Sequence, residues 1–247
     1  MHFERLGEVN LNNKGSEMKI IKYNSSNSIV VYFDKYNYTV ETNYYEFKKG
    51  RISCPYDKTI YGVGYLGEGK YKKFIDNIAT KYYVTWYSML KRVYSDHIRN
   101  PSYLDCIICE EWHNFQNFCK WYDENYYEIE GHEMHIDKDI LIKNNKVYSP
   151  ETCVFVPQHI NNLFVKHNRQ RGEYPIGVNK NCNKYISSCN ENSCQKILGS
   201  FSTPELAFNA YKEYKEDIIK RTADKYKEQI PQKLYDAMYR YEVEITD

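Results

Sequence analysis

Between residues 134 and 139 the chain reads Met-His-Ile-Asp-Lys-Asp, which brings an imidazole, two carboxylates and an ammonium close together. His135 stands two residues before Asp137, so on a strand the two side chains share one face. An imidazole can exchange a proton near neutral pH. Lys138 is protonated unless buried, and therefore suits stabilisation of phosphate charge better than proton abstraction. A second histidine, His159, lies within one turn of Asn161. Cys106 and Cys109 form a lone CxxC; Cys153, Cys182, Cys189 and Cys194 follow with no second CxxC at zinc spacing. Structural zinc is therefore disfavoured, and cysteine reads as a compact apolar residue, although pairing of Cys109 with Cys153 is geometrically conceivable.

Charge frames these residues. The net charge is only +1 over 247 residues, yet residues 58–100 carry 8 basic against 3 acidic side chains, 101–139 carry 2 against 10, and 140–184 carry 7 against 2. A protein that grips a polyanion while holding a divalent cation needs both signs, because Lys and Arg neutralise phosphates and carboxylates hold metal. The acidic stretch 101–139 also offers a face to a protein partner, since acid clusters mimic phosphate. With 42% hydrophobic residues, 11 Gly and 7 Pro, the chain excludes the disordered and collagen-like classes, and no apolar run is long enough to span a bilayer. The N-terminal MHFERLGEVN lacks the apolar core of a signal peptide, so the expectation is a cytoplasmic protein, with no membrane partner and with free thiols.

These residues must be positioned by elements that the patterning predicts. Met18 to Tyr45 is β-branched and aromatic with polar breaks at 24–27 and 34–37, which predicts three or four short strands, closed by Gly50 and Pro55. The stretch Tyr61 to Gly69 is punctuated by glycine and reads as a connector. KYYVTWYSMLKRVYSD and EEWHNFQNFCKWYDENY carry apolar residues at helical spacing. From HEMHIDKDIL through a turn at Lys143 to Lys146, VYSPETCVFVP and QHINNLFVKH, the parse is strand, loop, strand, helix, with Pro157 at the helix start. The last part predicts strands at Pro175 to Val178, Lys184 to Cys189 and Gln195 to Phe201. A helix follows, with Thr203 as N-cap, Pro204 in the first position and an inner stripe of Ala207, Ala210, Tyr211 and Tyr214.

The run IDKDILIKNNKVYSPETCVFVPQHINNLF resembles the phage and homing-endonuclease branch of the HNH nucleases, whose ββα unit binds one divalent metal. The resemblance implies Asp137 in the first-strand metal-ligand position and Asn161 in the helix position, with Mg²⁺ or Mn²⁺ bridging an Asp oxygen, an Asn carbonyl and the scissile phosphate. Lys138 replaces the family's general-base histidine, which leaves His135 or His159 to serve as base. The preceding CEEWHNFQNFCKWYDEN text is similar to the helical support of such units, so the resemblance covers about residues 82–168.

A second resemblance is to the DNA-binding domain of plant ethylene-response factors, carried by Gly177 and Val178, the strand around Tyr185 and Ile186, LGSF at 198–201 and TPELAFNAY at 203–211. Such domains lay a three-stranded sheet in the major groove. It implies that Asn179, Lys180, Asn181, Lys184, Ser188, Asn190, Gln195 and Lys196 point outward, with Asn and Gln reading adenine edges and Lys meeting phosphates. The N-terminal part is similar to small β modules that precede HNH units, where Lys48, Lys49 and Arg51 could touch phosphates. Taken together, the expectation is an α+β chain. A β-rich module (1–57) and a linker (58–81) precede an HNH-like nuclease unit (82–170) and a DNA-binding domain with a helical extension (171–247). The expected function is a metal-dependent endonuclease acting on double-stranded DNA; its rival is a DNA-binding or inhibitory protein on the same scaffold with an inactive site.

Overall fold

A computed structural model describes residues 5–95, 103–165, 173–191 and 194–246, and the chain divides into two compact units, 1–124 and 125–247. The fold is α+β, with several small antiparallel sheets. In the first unit β1 (Val9–Leu11), β2 (Glu17–Ser25), β3 (Ser28–Phe33) and β4 (Tyr38–Thr42) form a four-stranded sheet in chain order. Strand alternation sends Met18, Ile20, Ile29, Val31 and Phe33 to one face, where they pack with Phe47 of α1 (Tyr44–Lys48). Asn43 starts that helix by accepting the Glu46 N–H.

The glycine-rich stretch beyond is bonded into this unit rather than left as an open tether. Tyr65 donates its N–H to the His113 carbonyl and accepts from Phe115 N–H, and a Cβ at Gly67 would lie 2.3 Å from Asn114 Oδ1. A hairpin of β5 (Phe74–Ile75) and β6 (Ile78–Ala79) leads into α2 (Lys81–Tyr94); β7 (Ile107–Ile108) and α3 (Phe115–Asn125) follow. The apolar stripes of the two helices meet through aromatic rings: Trp86 on Phe115 at 5.3 Å, Trp112 on Phe118 at 5.3 Å, and the Trp86 indole N–H on the Trp112 carbonyl at 2.7 Å. Asp123 on α3 accepts from the hydroxyls of Tyr71 and Tyr82, both at 2.6 Å.

The second unit contains β8 (Met134–Asp137), β9 (Val147–Tyr148), β10 (Val154–Pro157) and the one-turn helix α4 (Gln158–Asn161). The helix expected to run on through His167 stops at Asn161, and residues 166 and 167 lie outside the described residues. Next come β11 (Val178–Asn181), β12 (Lys184–Glu191) and β13 (Cys194–Phe201), a three-stranded antiparallel sheet, then α5 (Pro204–Tyr226) and α6 (Gln232–Arg240). Thr203 caps α5 by accepting the Leu206 N–H, with Pro204 in its first turn.

α5 buries side chains into two cores. Its first half gives Ala207, Phe208 and Tyr211 to the sheet side, with Val178 and Cys189. Its second half gives Ile219, Ala223 and Tyr226 to the side holding Val154, Val156 and Ile160, which α6 completes with Leu234, Ala237 and Met238. Phe208, absent from the expected stripe, is core, whereas Ala210 and Tyr214 are half-buried. Among the described residues no helix is long and apolar enough to cross a membrane.

Two outcomes follow. Gly177 has φ +77°, and a Cβ there would sit 2.1 Å from Cδ2 of Tyr211, so Gly177→Ala should cost at least about 2 kcal/mol in urea unfolding. At Asp123, burial pushes the carboxyl upward, but the two tyrosine hydroxyls and Lys70 outweigh it and hold the group below the usual carboxylate range. Its stabilising contribution is then present above the unfolded-state value and lost as pH falls through the lowered one. Unfolding midpoints followed from pH 6 to 3 should fall less steeply in Asp123→Asn than in the parent chain.

Candidate functional site

β8 and β10 pair antiparallel with His135 opposite Val156 and Asp137 opposite Val154. Cross-strand partners share a face, so His135 and Asp137 lie on the side where Val154 and Val156 meet Ile160 of α4. Asp137 thus stands at the end of the first strand and Asn161 at the end of the short helix, both half-buried. The Asn161 amide has no hydrogen-bond partner among the described residues.

Asp137 is committed at one oxygen. Its Oδ1 accepts the N–H groups of Asp139 and Ile140, both at 2.8 Å, which fixes the turn out of β8. Burial, and then the neighbouring Asp139 carboxylate, raise the Asp137 carboxyl well above its ordinary range, against the pull of those two N–H groups. Lys138 is turned inward, 7% exposed, with its ammonium 3.0 Å from Asp139 Oδ2 and over the Tyr148 ring. Its charge is spent on a neighbour, and it does not face solvent where a phosphate would arrive. A buried lysine needs such a partner, because desolvating an unpaired ammonium is costly.

His135 is about one-third exposed and has the Glu133 carboxylate 3.5 Å from Nε2, without hydrogen-bond geometry. His159 has a different setting: its ring lies tilted against His132 at 4.2 Å and Tyr226 at 4.8 Å, and both ring nitrogens are out of water with no partner among the described residues. Burial, then the nearby His132 and Lys225, push its pKa down. It serves as a packing residue beside α5.

One residue that the sequence reading passed over holds the loop together. Asn145 donates through Nδ2 to the carbonyls of Lys138 and Val147, both at 2.7 Å, and accepts from Val147 N–H at 3.2 Å. Thr152 Oγ1 closes the other end, donating to the Val147 carbonyl at 2.7 Å and accepting from Ser149 N–H at 3.2 Å. The signal was the NNK and YSPET text, where Asn and Ser/Thr bond to nearby backbone and favour turns. The far side of the loop is tied down by Lys143, which donates to the Glu242 carbonyl at 2.7 Å and pairs with Glu244.

The donors present suit a hard divalent ion: a carboxylate oxygen of Asp137 and the amide oxygen of Asn161. No three His, Cys, Asp or Glu side chains gather to hold a metal among the described residues, so most ligand positions would belong to phosphate and water.

The sheet supplies the second candidate surface. Val178, Ser187 and Gly199 form one cross-strand row, and Lys180, Tyr185 and Phe201 another, on the face that packs α5. The outward rows are Asn181 with Lys184, Asn179 with Ile186 and Ser200, Ser188 with Ile197, and Asn190 with Gln195, although Ser188 itself is buried rather than open to solvent as expected. Leu198 has no partner, because the register shifts between Ser187 and Ser188. That bulge reverses the alternation along β13. Lys196 therefore sits opposite buried Cys189, with its ammonium 4.6 Å from the Tyr214 ring, rather than outward as expected; Lys180 likewise falls on the helix side, exposed near the strand end. Glu191 is on the helix side too, bonded to Tyr214 and Arg221. Of the N-terminal basic residues, Lys48 pairs with Glu8 and Arg51 lies 3.9 Å from Glu46.

Replacing Asn145 by Ala should leave the Lys138 and Val147 carbonyls unpaired and cost about 1–3 kcal/mol in urea unfolding. If Asp137 holds a divalent ion, Mn²⁺ affinity measured by calorimetry should fall with it, since the turn that carries Asp137 loosens. No family model, no curated protein and no solved structure matches the chain.

Proposed function

We propose that the chain is a phage-type, HNH-like endonuclease that hydrolyses a phosphodiester in double-stranded DNA with Mg²⁺ or Mn²⁺. The observation that supports this reading is the β8–β10–α4 unit, in which Asp137 ends the first strand and Asn161 ends the helix, the order that the resemblance implies. Asp137 and Asn161 would hold the cation, which when bound polarises a phosphoryl oxygen and makes water easier to ionise. His135 shares the Asp137 face and is the group available to accept the proton of the attacking water. Oδ1 of Asp137 keeps the turn closed, and its other oxygen would be the one left to hold a cation. The outward sheet face would bind duplex DNA, and a protein made in a host cell's cytosol would meet its substrate there.

One observation favours a second reading. Lys138 stands where the family has its base, and it is buried against Asp139. A scaffold whose base position is sealed in this way fits a DNA-binding or inhibitory protein that no longer cuts.

Plasmid cleavage in Mg²⁺, Mn²⁺ or EDTA separates the two. Cleavage should require the divalent ion and fall at least about 100-fold in Asp137→Asn, which retains the turn-capping oxygen, and in Asn161→Ala. His135→Ala should lower it by about 10² to 10⁴ if His135 is the base. No cutting by the parent under any of these ions, with duplex binding retained, would establish the second reading instead.

A further inference from the structure

We infer that the outward face of the β11–β12–β13 sheet selects A·T-rich over G·C-rich duplex DNA, with its amides on adenine edges and Ile186 and Ile197 on thymine methyl groups. The inference rests on the DNA reading above and names the sequence class that this face would accept.

The register decides which chemistry faces out. Ile197 is 70% exposed in the middle of the face, opposite Ser188, and Ile186 lies one outward row away. Neither is spare core, because the other face of the sheet already buries Val178 and Cys189 against α5. In the major groove only thymine presents a methyl group, and an aliphatic side chain is the contact that reads it. Asn179 shares a row with Ile186, and the Asn190–Gln195 row lies beyond Ile197. A carboxamide can bond adenine N6 and N7 together, which it cannot do with any other base. Gln195 is held in place by one N–H donated to Ser188 Oγ at 3.2 Å, leaving its second N–H and its oxygen for a base.

What the face lacks is equally selective. Guanine is read by Arg or Lys and cytosine by Asp or Glu. Among the described residues of the outward rows there is no carboxylate, and the one cation is Lys184 at the hairpin end. The bulge at Leu198 is what moves Lys196 off this face and Ile197 onto it. The dimensions also fit. Strands about 4.8 Å apart put three across about 10 Å, within a major groove about 12 Å wide, and outward rows about 7 Å apart match about two base-pair steps.

The test uses the full chain in EDTA, so that binding is read without cleavage, at one fixed salt concentration. Three duplexes of equal length are compared: A·T-rich, G·C-rich, and the A·T-rich one with deoxyuridine in place of thymidine, which removes only the methyl groups. The parent should bind the A·T-rich duplex at least about tenfold more tightly than the G·C-rich one, and lose about fourfold per contacted methyl on the uridine duplex. Ile197→Ala, at an exposed position that leaves the fold intact by circular dichroism, should shrink the thymidine-to-uridine difference. Asn190→Ala with Gln195→Ala should shrink the A·T preference. Equal affinity for the A·T-rich and G·C-rich duplexes, no effect of uridine in the parent, or an undiminished methyl effect in Ile197→Ala each overturns the inference while duplex binding stands. Absence of binding to every duplex removes the DNA reading and the inference with it.

Discussion

The architecture of residues 125–247 depends on one helix having to satisfy two cores. Ile218 and Ile219 are neighbours on α5, yet Ile218 packs with the sheet and Ile219 with the β8–β10–α4 unit. Successive helical residues point about 100° apart, so a helix can serve two partners only if both flank it closely. α5 has 23 residues, about 35 Å of helix, and packs on the sheet from Ala207 to Ile218 and on the other core from Ile219 to Tyr226. The three-stranded sheet and the candidate metal unit are thereby fixed to one rod, completed by α6 and by the Lys143 contacts to the C-terminal segment. If the sheet holds DNA, this rod sets where the backbone lies relative to Asp137.

Within that frame the candidate site is a problem of polar satisfaction. Asp137 ends β8 and is followed by Lys138 and Asp139; Lys138 is buried, Asp137 and Asp139 are half-buried, and each finds a partner. The solution is local: Asp137 bonds backbone, Lys138 bonds Asp139, and Asn145 and Thr152 bond the carbonyls that the loop would otherwise strand. The carboxyl of Asp137 remains strained electrostatically, with its charge disfavoured by burial and by Asp139. Sites of chemistry are commonly built from groups held in this way. The same contacts explain the Lys138 placement, since a buried ammonium must be paired and Asp139 pairs it.

Much of this was legible in the chain itself. The alternation over residues 18–45, the 3.6-residue periodicity of α2 and α3, the Thr203–Pro204 helix start, and the strand, loop, strand, helix parse around Asp137 all come from interactions within a few residues of one another. So did the closeness of His135 and Asp137, which needs only that successive strand residues face opposite ways. Steric and hydrogen-bonding preferences at that range act in any context, which is why pattern alone determines the elements and their order.

Only the tertiary structure decided which side chains face where at longer range. One unpaired residue, Leu198, inverts the faces of β13 upstream of it; Gly199 beside it is the local sign of a bulge, but only pairing with β12 decides where the register shifts. The glycine-rich stretch after residue 58 reads as a connector from its glycines alone, because glycine marks both flexible chain and close packing, and only the neighbours of Gly67 show close packing there. The inward turn of Lys138 and the loop-closing role of Asn145 depend likewise on how deeply the loop is buried. The sequence by itself therefore determined the elements and the short-range pairing of chemical groups, because those obey local geometry. Register, burial and the shared helix depended on the fold, because each is the outcome of packing between segments far apart in the chain.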